Sequence, residues 1–312
     1  MDIALVFPGQ GSQKPGMAQD LAARYPAAAA VMAAADAALG FPLSETCYTG
    51  SADALTATEV AQPALLAHGI AAWTVLADRL RPHVRCAAGH SLGEFTAHVA
   101  AGTLAFDDAM RLVRTRGEAM RDAAAARAGA MAAILGDLRR PIDAICDDAT
   151  RDTGLVVAAN YNSPGQVVVS GEVAGVERVM VLAKEAGAKR AMPLKVSGAF
   201  HSPLMAPARD ALEGALVAAP MRDPAFPVYA NVTAAPVIDA ATTRTLLGEQ
   251  LTGAVRWTET VRRIAADHPG IVFVECGPGH VLYGLIHKAV PGAEVWHAGT
   301  VADLETILGK VA

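Results

Sequence analysis

A serine between two glycines is the clearest candidate for chemistry in this chain of 312 residues. Ser91 lies in Gly89-His90-Ser91-Leu92-Gly93, which fits the pattern G-x-S-x-G, after a run of small residues and before a helical stretch. Glycines on both sides permit a sharp turn from strand to helix that exposes the hydroxyl, and the helix N-terminus adds favourable partial charge. The alternative is an ordinary glycine-rich turn. The context favours a nucleophile for acyl transfer or hydrolysis.

A serine hydroxyl needs a base to act as a nucleophile near neutral pH, and the chain has nine histidines. His201 lies in the flexible segment 197–203, after a predicted strand, where catalytic groups are often placed. His90 adjoins the serine but should point elsewhere on a tight turn. His68 and His98 fall on helical stretches and should be packed or solvated. We therefore favour His201 as the base.

The elements that must position these residues alternate between alanine-rich helices and short β-branched runs. Alanine is the best helix former and lets helices pack closely on a sheet. This alternation predicts an α/β fold with a mainly parallel sheet. The predicted buried strands, each followed by a turn or a polar loop, are 3–7, 85–88, 228–231 and 271–275.

The middle of the chain has a different order of predicted elements. Its order, βαββαβ, is that of a ferredoxin-like unit inserted into the larger α/β fold. The predicted strands and helices are, in chain order, 130–135, 142–150, 155–160, 166–170, 173–186 and 189–194.

Composition excludes several classes of protein. With 53% hydrophobic and 18% charged residues, the chain has enough apolar surface to fold, which argues against disorder. A net charge of −5 gives no broad electrostatic surface for nucleic acid or an anionic membrane. The long uncharged window 60–77 contains Gln62, Pro63 and His68, so a buried helix is expected in place of a membrane span.

Cysteines and the N-terminus bear on the compartment. Four scattered cysteines, at positions 47, 86, 146 and 276, form no CxxC motif, so we expect buried free thiols in a reducing cytoplasm. The first eight residues have no basic region, so no signal peptide is expected. No His, Cys or Asp cluster has metal-ligand spacing, and we expect no metal.

Seven segments, in order along nearly the whole chain, resemble those of the malonyl-CoA:acyl-carrier-protein transacylase family. They are Phe7-Pro8-Gly9-Gln10-Gly11-Ser12-Gln13, Gln62-Pro63-Ala64-Leu65, Gly89-His90-Ser91-Leu92-Gly93-Glu94, Arg116-Gly117, Asn160-Tyr161-Asn162-Ser163-Pro164-Gly165-Gln166, the segment around His201, and Glu275-Cys276-Gly277-Pro278-Gly279.

The resemblance implies a domain organisation. An α/β-hydrolase-like large subdomain, residues 1–127 and 197–312, would carry the nucleophile. A ferredoxin-like small subdomain, residues 128–196, would be inserted into it and help to wall the cleft. The βαββαβ pattern falls where this insert is expected.

The resemblance also implies roles for individual residues. Ser91 and His201 would form a dyad, with the imidazole oriented by the backbone carbonyl of Gln250 in place of an acid. This agrees with the lack of an acidic motif between the serine and the histidine. The backbone N–H groups of Gln10 and Leu92 would form the oxyanion hole.

Two further residues bear on the choice of acyl group. Read alone, Arg116 in the helical run 109–119 would be a solvated surface arginine. The resemblance instead implies that Arg116 holds the malonyl carboxylate through two parallel hydrogen bonds. Phe200 resembles the malonyl pattern, because a bulky ring leaves less room for an α-methyl group. A methyl group is worth only about 1–3 kcal/mol in such a pocket, so strict exclusion is not expected.

The implied reaction moves a malonyl group from malonyl-CoA to the phosphopantetheine thiol of an acyl carrier protein, through a malonyl-serine and with ping-pong kinetics. Free CoA is the first product, and no bound cofactor, nucleic acid or membrane is implied. We expect a monomer. The acidic carrier calls for a local basic patch, for which Lys184, Lys189, Arg190 and Lys195 are candidates, with a solvated charged face as the alternative.

Three other functions remain open. A trans-acting acyltransferase that loads carrier domains of a polyketide synthase would share every motif quoted above. An acyl-carrier thioesterase is disfavoured by Arg116, because a hydrolase for simple acyl chains gains nothing from a carboxylate clamp. A non-catalytic carrier-docking subunit is disfavoured by the complete set of Ser91, His201 and Arg116.

Overall fold

A computed structural model describes residues 1–196 and 198–311. Within them, ten strands form two separate sheets. The strands are β1 (Ile3–Phe7), β2 (Val84–Gly89), β3 (Ala130–Leu135), β4 (Val156–Ser163), β5 (Gln166–Gly171), β6 (Arg190–Pro193), β7 (Val228–Tyr229), β8 (Pro236–Val237), β9 (Val272–Cys276) and β10 (Val295–Ala298).

The helices of the described residues pack around these sheets. They are α1 (Gln19–Arg24), α2 (Pro26–Leu39), α3 (Leu43–Thr49), α4 (Ala52–Thr56), α5 (Thr58–Leu80), α6 (Leu92–Ala100), α7 (Phe106–Ala126), α8 (Ile142–Asp152), α9 (Val173–Glu185), α10 (Ala206–Ala218), α11 (Ala240–Glu249), α12 (Trp257–Asp267), α13 (Val281–Ala289) and α14 (Val301–Lys310), with 3-10 segments at Arg81–His83 and Pro203–Met205.

The large sheet has six strands in the order β10-β9-β1-β2-β7-β8, and every neighbouring pair is parallel except β7 with β8. Strand β1 lies inside the sheet and is buried along its whole length, as expected for a parallel sheet covered on both faces. The mainly parallel α/β fold is therefore confirmed. The carboxyl ends of β1, β2 and β9 share one edge, which is where such sheets place their functional loops.

Helix α5 is the core helix on one face of the large sheet, and α2 and α7 pack against it. By length and composition alone the helical segment Thr58–His83 could cross a membrane, but 78% of its most apolar window is buried inside the fold. The expected buried helix is therefore present, and alanine lets the neighbouring helices approach it closely.

The small sheet has four strands in the order β4-β5-β3-β6, and all its pairs are antiparallel. Helices α8 and α9 pack on it around a separate apolar core. This is the strand order of a ferredoxin-like fold, so the predicted βαββαβ unit is confirmed. The boundaries 128 and 196 stay a prediction, and Ser197, where the large subdomain is predicted to resume, lies outside the described residues.

Backbone hydrogen bonds join the two subdomains at β4. The N–H of Val255 donates to the carbonyl of Ala159 (2.8 Å), and the N–H of Tyr161 donates to the carbonyl of Val255 (2.9 Å). The hydroxyl of Thr258 donates to the carbonyl of Tyr161 (3.0 Å). The small subdomain is thus tied to the large one along a strand edge.

Two elements differ from the sequence prediction near the site. The strand predicted at 228–231 ends at Tyr229, because the N–H of Ala230 turns to the carbonyl of Ala235 and that of Asn231 to a side chain. The helix after the serine, predicted at 95–101, already begins at Leu92. Nothing therefore separates the serine from the helix N-terminus.

Candidate active site

The turn between β2 and α6 holds Ser91 in a conformation that most residues avoid. Ser91 has φ 51° and ψ −106°, outside the usual regions for a non-glycine residue. A Cβ on Gly89 would lie 1.9 Å from the backbone carbon of Gly93, and one on Gly93 would lie 2.0 Å from the carbonyl oxygen of Phe7. The two glycines of the G-x-S-x-G pattern are thus required by backbone packing, and the predicted sharp turn is present.

Asn231, at the end of β7, supports this turn from the other side. Its Oδ1 accepts a hydrogen bond from the N–H of Ser91 (2.7 Å), and its Nδ2 donates to the carbonyl of Gly89 (2.7 Å). Asn231 is fully buried. The sequence reasoning missed this residue, because its partners lie 140 and 142 positions away along the chain.

The structure brings Ser91 and His201 together. His201 Nε2 lies 2.8 Å from Ser91 Oγ, and its Nδ1 lies 2.9 Å from the carbonyl oxygen of Gln250 and 3.2 Å from that of Gly253. Carbonyl oxygens only accept, so Nδ1 carries the proton and the Nε2 lone pair faces the serine hydroxyl. Burial, and then the nearby charge of Arg116, lower the pKa of His201 to about 3, so this imidazole is neutral at neutral pH.

The other histidines considered above contact different groups. His90 Nε2 lies 2.7 Å from Asn162 Oδ1 in the small subdomain, so its ring is turned away from the serine hydroxyl. His68 and His98 are buried in helices, and burial lowers the pKa of His68 to about 4 and that of His98 to about 3. They pack in the core as neutral groups.

Arg116 is buried beneath the serine, with 1% of its surface exposed, so the interpretation as a solvated arginine is wrong. Its Nη1 donates to Gln62 Oε1 (2.7 Å), and its Nη2 donates to Gln250 Oε1 (2.9 Å) and to Ser91 Oγ (3.0 Å). Burial lowers the pKa of Arg116 to about 10, which still leaves a full charge at neutral pH. A fixed cation therefore adjoins the serine oxygen.

Gln250 joins the base, the cation and a carboxylate. Its carbonyl oxygen contacts His201, and its side-chain oxygen contacts Arg116. Its Nε2 donates to Ser91 O (3.0 Å) and to Glu94 Oε2 (2.7 Å). Only the carbonyl was anticipated from sequence. The signal for Glu94 was one carboxylate in an otherwise apolar first turn of α6.

The two expected oxyanion donors lie where the chain leaves β1 and β2. Gln10 and Leu92 both line the cavity above Ser91. Within residues 1–196 and 198–311, neither backbone N–H donates a hydrogen bond to another group of the protein. The oxyanion hole implied by the resemblance needs two such free donors and stays a prediction.

The cavity has a volume of about 380 Å³ and lies between the two subdomains. Phe200 and Met120 line it from the large subdomain, and Met131 and Asn160 line it from the small sheet. Apolar walls around a few convergent polar groups are typical of a substrate pocket. In the part of the chain that the structure describes, no group of three His, Cys, Asp or Glu residues is placed to hold a metal ion.

The candidate basic residues lie at the end of α9 and at the two ends of β6. Lys184, Lys189, Arg190 and Lys195 are all exposed, and none of them forms an ion pair with another described residue. Lys195 lines the cavity, whereas the other three lie outside it. The structure therefore brings only one of the four to the cleft itself.

Comparison with known families gives the class of the protein. The model of the family described as "Acyl transferase domain" matches residues 4–305, nearly the whole chain. The chain is an acyltransferase.

Individual relatives narrow the class. The chain is 46% identical over 288 residues to a malonyl CoA-acyl carrier protein transacylase of Bacillus subtilis, covering 92% of this chain and 90% of that protein. The crystal structure of an acyl-carrier-protein S-malonyltransferase from Bartonella henselae matches with a TM-score of 0.94 and 40% identity, over 100% and 99% of the two chains.

A third relative was solved with a partner. A malonyl-transacylase in complex with its type II polyketide synthase acyl-carrier protein matches with a TM-score of 0.94 and 41% identity, over 99% of this chain and 100% of that one. The chain belongs to the malonyl CoA-acyl carrier protein transacylase family.

Proposed function

We propose that this chain transfers a malonyl group from malonyl-CoA to the phosphopantetheine thiol of an acyl carrier protein, through an ester on Ser91. One observation carries the proposal: a base and a cation converge on one serine oxygen. Ser91 Oγ lies 2.8 Å from His201 Nε2 and 3.0 Å from Arg116 Nη2. The names of the relatives supply the donor and the acceptor.

In the first half-reaction, Nε2 of His201 accepts the proton of Ser91 Oγ as this oxygen attacks the thioester carbonyl carbon. The carbonyls of Gln250 and Gly253 stabilise the imidazolium that forms, because they accept hydrogen bonds from its Nδ1–H. The C–S bond then breaks, and the leaving sulfur takes the proton from His201. The products are malonyl-serine and free CoA.

The second half-reaction reverses these roles. The carrier thiol gives its proton to His201 and attacks the ester carbon, and the Ser91 oxygen leaves and regains a proton from the same imidazole. In both halves the N–H groups of Gln10 and Leu92 would hold the oxyanion. A donor of this kind is typically worth about 10²–10³ in rate.

Arg116 would select acyl groups that carry a carboxylate. Its guanidinium adjoins the oxygen that becomes acylated, and it offers two parallel donors to a planar anion. An uncharged acyl chain would gain no charge-assisted hydrogen bond from this buried cation, whereas a malonyl carboxylate would. Phe200 and Met120 line the rest of the pocket.

Exposed Lys189 and Arg190 would attract an acidic carrier. Arg190 begins β6, the edge strand of the small sheet, and Lys189 precedes it. Lys195 follows the strand and lines the cavity. The four cysteines of the chain are free and buried, which fits a reducing cytoplasm. That the chain acts as a monomer stays a prediction.

The test is a labelling experiment in two steps. The protein is incubated with labelled malonyl-CoA, the adduct is located by mass spectrometry, and a carrier with its phosphopantetheine arm is added. We expect malonyl on Ser91, followed by its transfer to the carrier. Release only as free malonate would favour a thioesterase. Equal labelling by acetyl-CoA would contradict the role of Arg116.

A second candidate is service to a polyketide synthase, because one related structure holds a carrier of that pathway. Both candidates share the chemistry and differ in the carrier. Transfer rates to a fatty-acid carrier and to a polyketide carrier, compared at equal concentrations, distinguish them.

A further inference from the structure

Glu94 is a buried charge that the reaction described above does not use. It lies in the first turn of α6, one turn after Ser91, and only 1% of it is exposed. Its Oε2 accepts hydrogen bonds from Gln250 Nε2 (2.7 Å) and from the N–H of Asn231 (3.1 Å). A buried carboxylate is costly unless it is compensated, so its place behind the nucleophile needs a reason.

The compensating charge is that of Arg116, which is separated from Glu94 by the side-chain amide of Gln250. Arg116 Nη2 donates to Gln250 Oε1 (2.9 Å), and the nitrogen of the same amide donates to Glu94. Neither Glu94 nor Arg116 forms a direct ion pair with any described residue. Burial shifts the pKa of each group toward its neutral form, and the charge of the other group partly opposes that shift.

We propose that Glu94 is the resident counter-charge of Arg116, and that it takes up a proton from solvent when an acyl group bearing a carboxylate binds. This inference rests on the proposed function, in which the malonyl carboxylate lies on Arg116. Without malonyl and above pH 7, Arg116 and Glu94 then carry one positive and one negative charge. The malonyl group adds a second negative charge beside a single cation, and protonation of Glu94 removes the excess.

Glu94 is the group of the site that can respond in this way. Burial raises the pKa of Glu94 to about 7, so a nearby anion readily completes its protonation. The other titratable groups of the site are Arg116 on α7, His90 in the turn, His201, and the exposed Lys195 of the small subdomain. Arg116 stays charged, and burial lowers the pKa of both histidines, so these two stay neutral.

The sign of the pH dependence follows from the proton count. The complex with malonyl binds more protons than the free protein, so malonyl affinity falls as the pH rises above 7. The limit is about tenfold per pH unit for one proton. Acetyl-CoA carries the same CoA moiety without the carboxylate, so its affinity should not show this dependence.

The matched control is Glu275, a second wholly buried carboxylate in the large sheet. Glu275 accepts hydrogen bonds from the N–H groups of Leu282 (2.8 Å) and Tyr283 (2.9 Å), at the N-terminus of α13. It does not line the cavity. Glu275→Gln should affect the fold to a degree comparable with Glu94→Gln, without changing the response to malonyl.

The experiment uses the full chain with Ser91→Ala, which binds acyl-CoA without reacting. Malonyl-CoA and acetyl-CoA are titrated calorimetrically at pH 7.5 in two buffers of different ionisation enthalpy. We expect uptake of a fraction of a proton with malonyl-CoA in excess of that with acetyl-CoA. Adding Glu94→Gln should abolish the excess and tighten malonyl-CoA about three- to tenfold at pH 8, since the repulsion is gone. Adding Glu275→Gln should do neither.

The outcomes distinguish a failure of the role proposed for Glu94 from a failure of the proposed function. Selective malonyl binding without excess proton uptake would overturn the role of Glu94 and leave the proposed function intact. Unchanged or weaker malonyl binding in the Glu94→Gln protein would overturn it as well. Equal affinity for the two thioesters, unaffected by Arg116→Ala, would contradict the proposed function itself.

Discussion

The two walls of the cavity hold their side chains in different ways. On the large-subdomain wall, Ser91, His201 and Arg116 belong to one buried hydrogen-bonded network, closed by Gln250. On the small-subdomain wall, Met131 is apolar, and Lys195 is exposed. All nine histidines also lie outside 128–196. In the proposed reaction, proton transfer and binding of the malonyl carboxylate would belong to the large-subdomain wall, and the small-subdomain wall would supply shape and exposed basic side chains.

The largest effect should come from substitution of the serine on the large-subdomain wall. Ser91→Ala removes the nucleophile, so we expect transfer to fall by at least about 10³-fold and the covalent adduct to disappear. Mass spectrometry after incubation with malonyl-CoA measures both. The control is Ser170→Ala, at a buried serine of the small sheet, which should label normally. An adduct on the Ser91→Ala protein would place the nucleophile elsewhere.

The second-largest effect should come from loss of the Arg116 cation. Arg116→Ala removes a buried donor to the malonyl carboxylate, so we expect about 10²-fold slower labelling by malonyl-CoA and a much smaller change with acetyl-CoA. Arg116→Lys keeps the charge without the two parallel donors and should be intermediate. Arg114→Ala, at a partly exposed arginine of the same helix that pairs with Glu118, is the control. Equal losses for both thioesters would show that Arg116 has only a structural role.

The choice of acyl group can be tested at one residue from each wall of the cavity. Phe200→Ala should raise the rate with methylmalonyl-CoA relative to malonyl-CoA by about tenfold or more, because a ring is worth at least the space of a methyl group. Met131→Ala should change this ratio less, because an unbranched side chain already adapts to its neighbours. Competition between the two thioesters gives the ratio directly. A larger effect at Met131 would move acyl selection to the small subdomain.

The pH dependence of Ser91 labelling below pH 7 should show that the pKa of His201 is low. A histidine with its ordinary pKa would lose about tenfold in its basic form between pH 7 and pH 5.5. His201 has its pKa lowered by burial and by Arg116, so its neutral form persists on acidification and Ser91 labelling should fall by less than about twofold. Rapid-quench labelling with malonyl-CoA at the two pH values is the measurement. A loss that follows a pKa near 6.5 would contradict the arrangement.

Among the substitutions, the smallest effect should come from the surface of the small subdomain. Reversing the charges with Lys189→Glu and Arg190→Glu should raise the KM for the carrier several-fold, because exposed charges act mainly on the encounter. Labelling from malonyl-CoA should be unchanged. Lys288→Glu, an exposed site on the large subdomain, is the control. An unchanged KM for the carrier would exclude this docking surface.

Local patterns predicted most of the framework around the site. Strand β1 and the turn at Ser91 were evident, because apolar runs and glycine spacing are local properties of a sequence. Strand β10 was not predicted, since Val295–Ala298 is a short edge strand with a histidine in it. Boundaries next to the serine also shifted by a few residues.

The supports of the site could not be predicted in the same way. The hydrogen bond from Gln250 to Glu94 spans 156 positions, and that from Asn231 to Glu94 spans 137. The helical spacing of Leu112, Val113 and Met120 places Arg116 on the buried face of α7, but this pattern names no partner for a buried cation. Only the folded chain brings these groups together, and motif resemblance indicated a role for Arg116 that its helix alone did not.

The backbone hydrogen bonds between β4 and Val255 bear on the reversibility of the proposed reaction. A thioester is broken and a thioester is made, so the donor and acceptor halves are nearly mirror images with little change in free energy. The near-equal free energies of the two thioesters would make the proposed transfer reversible. Backbone pairing between the walls would let the same cleft serve both directions.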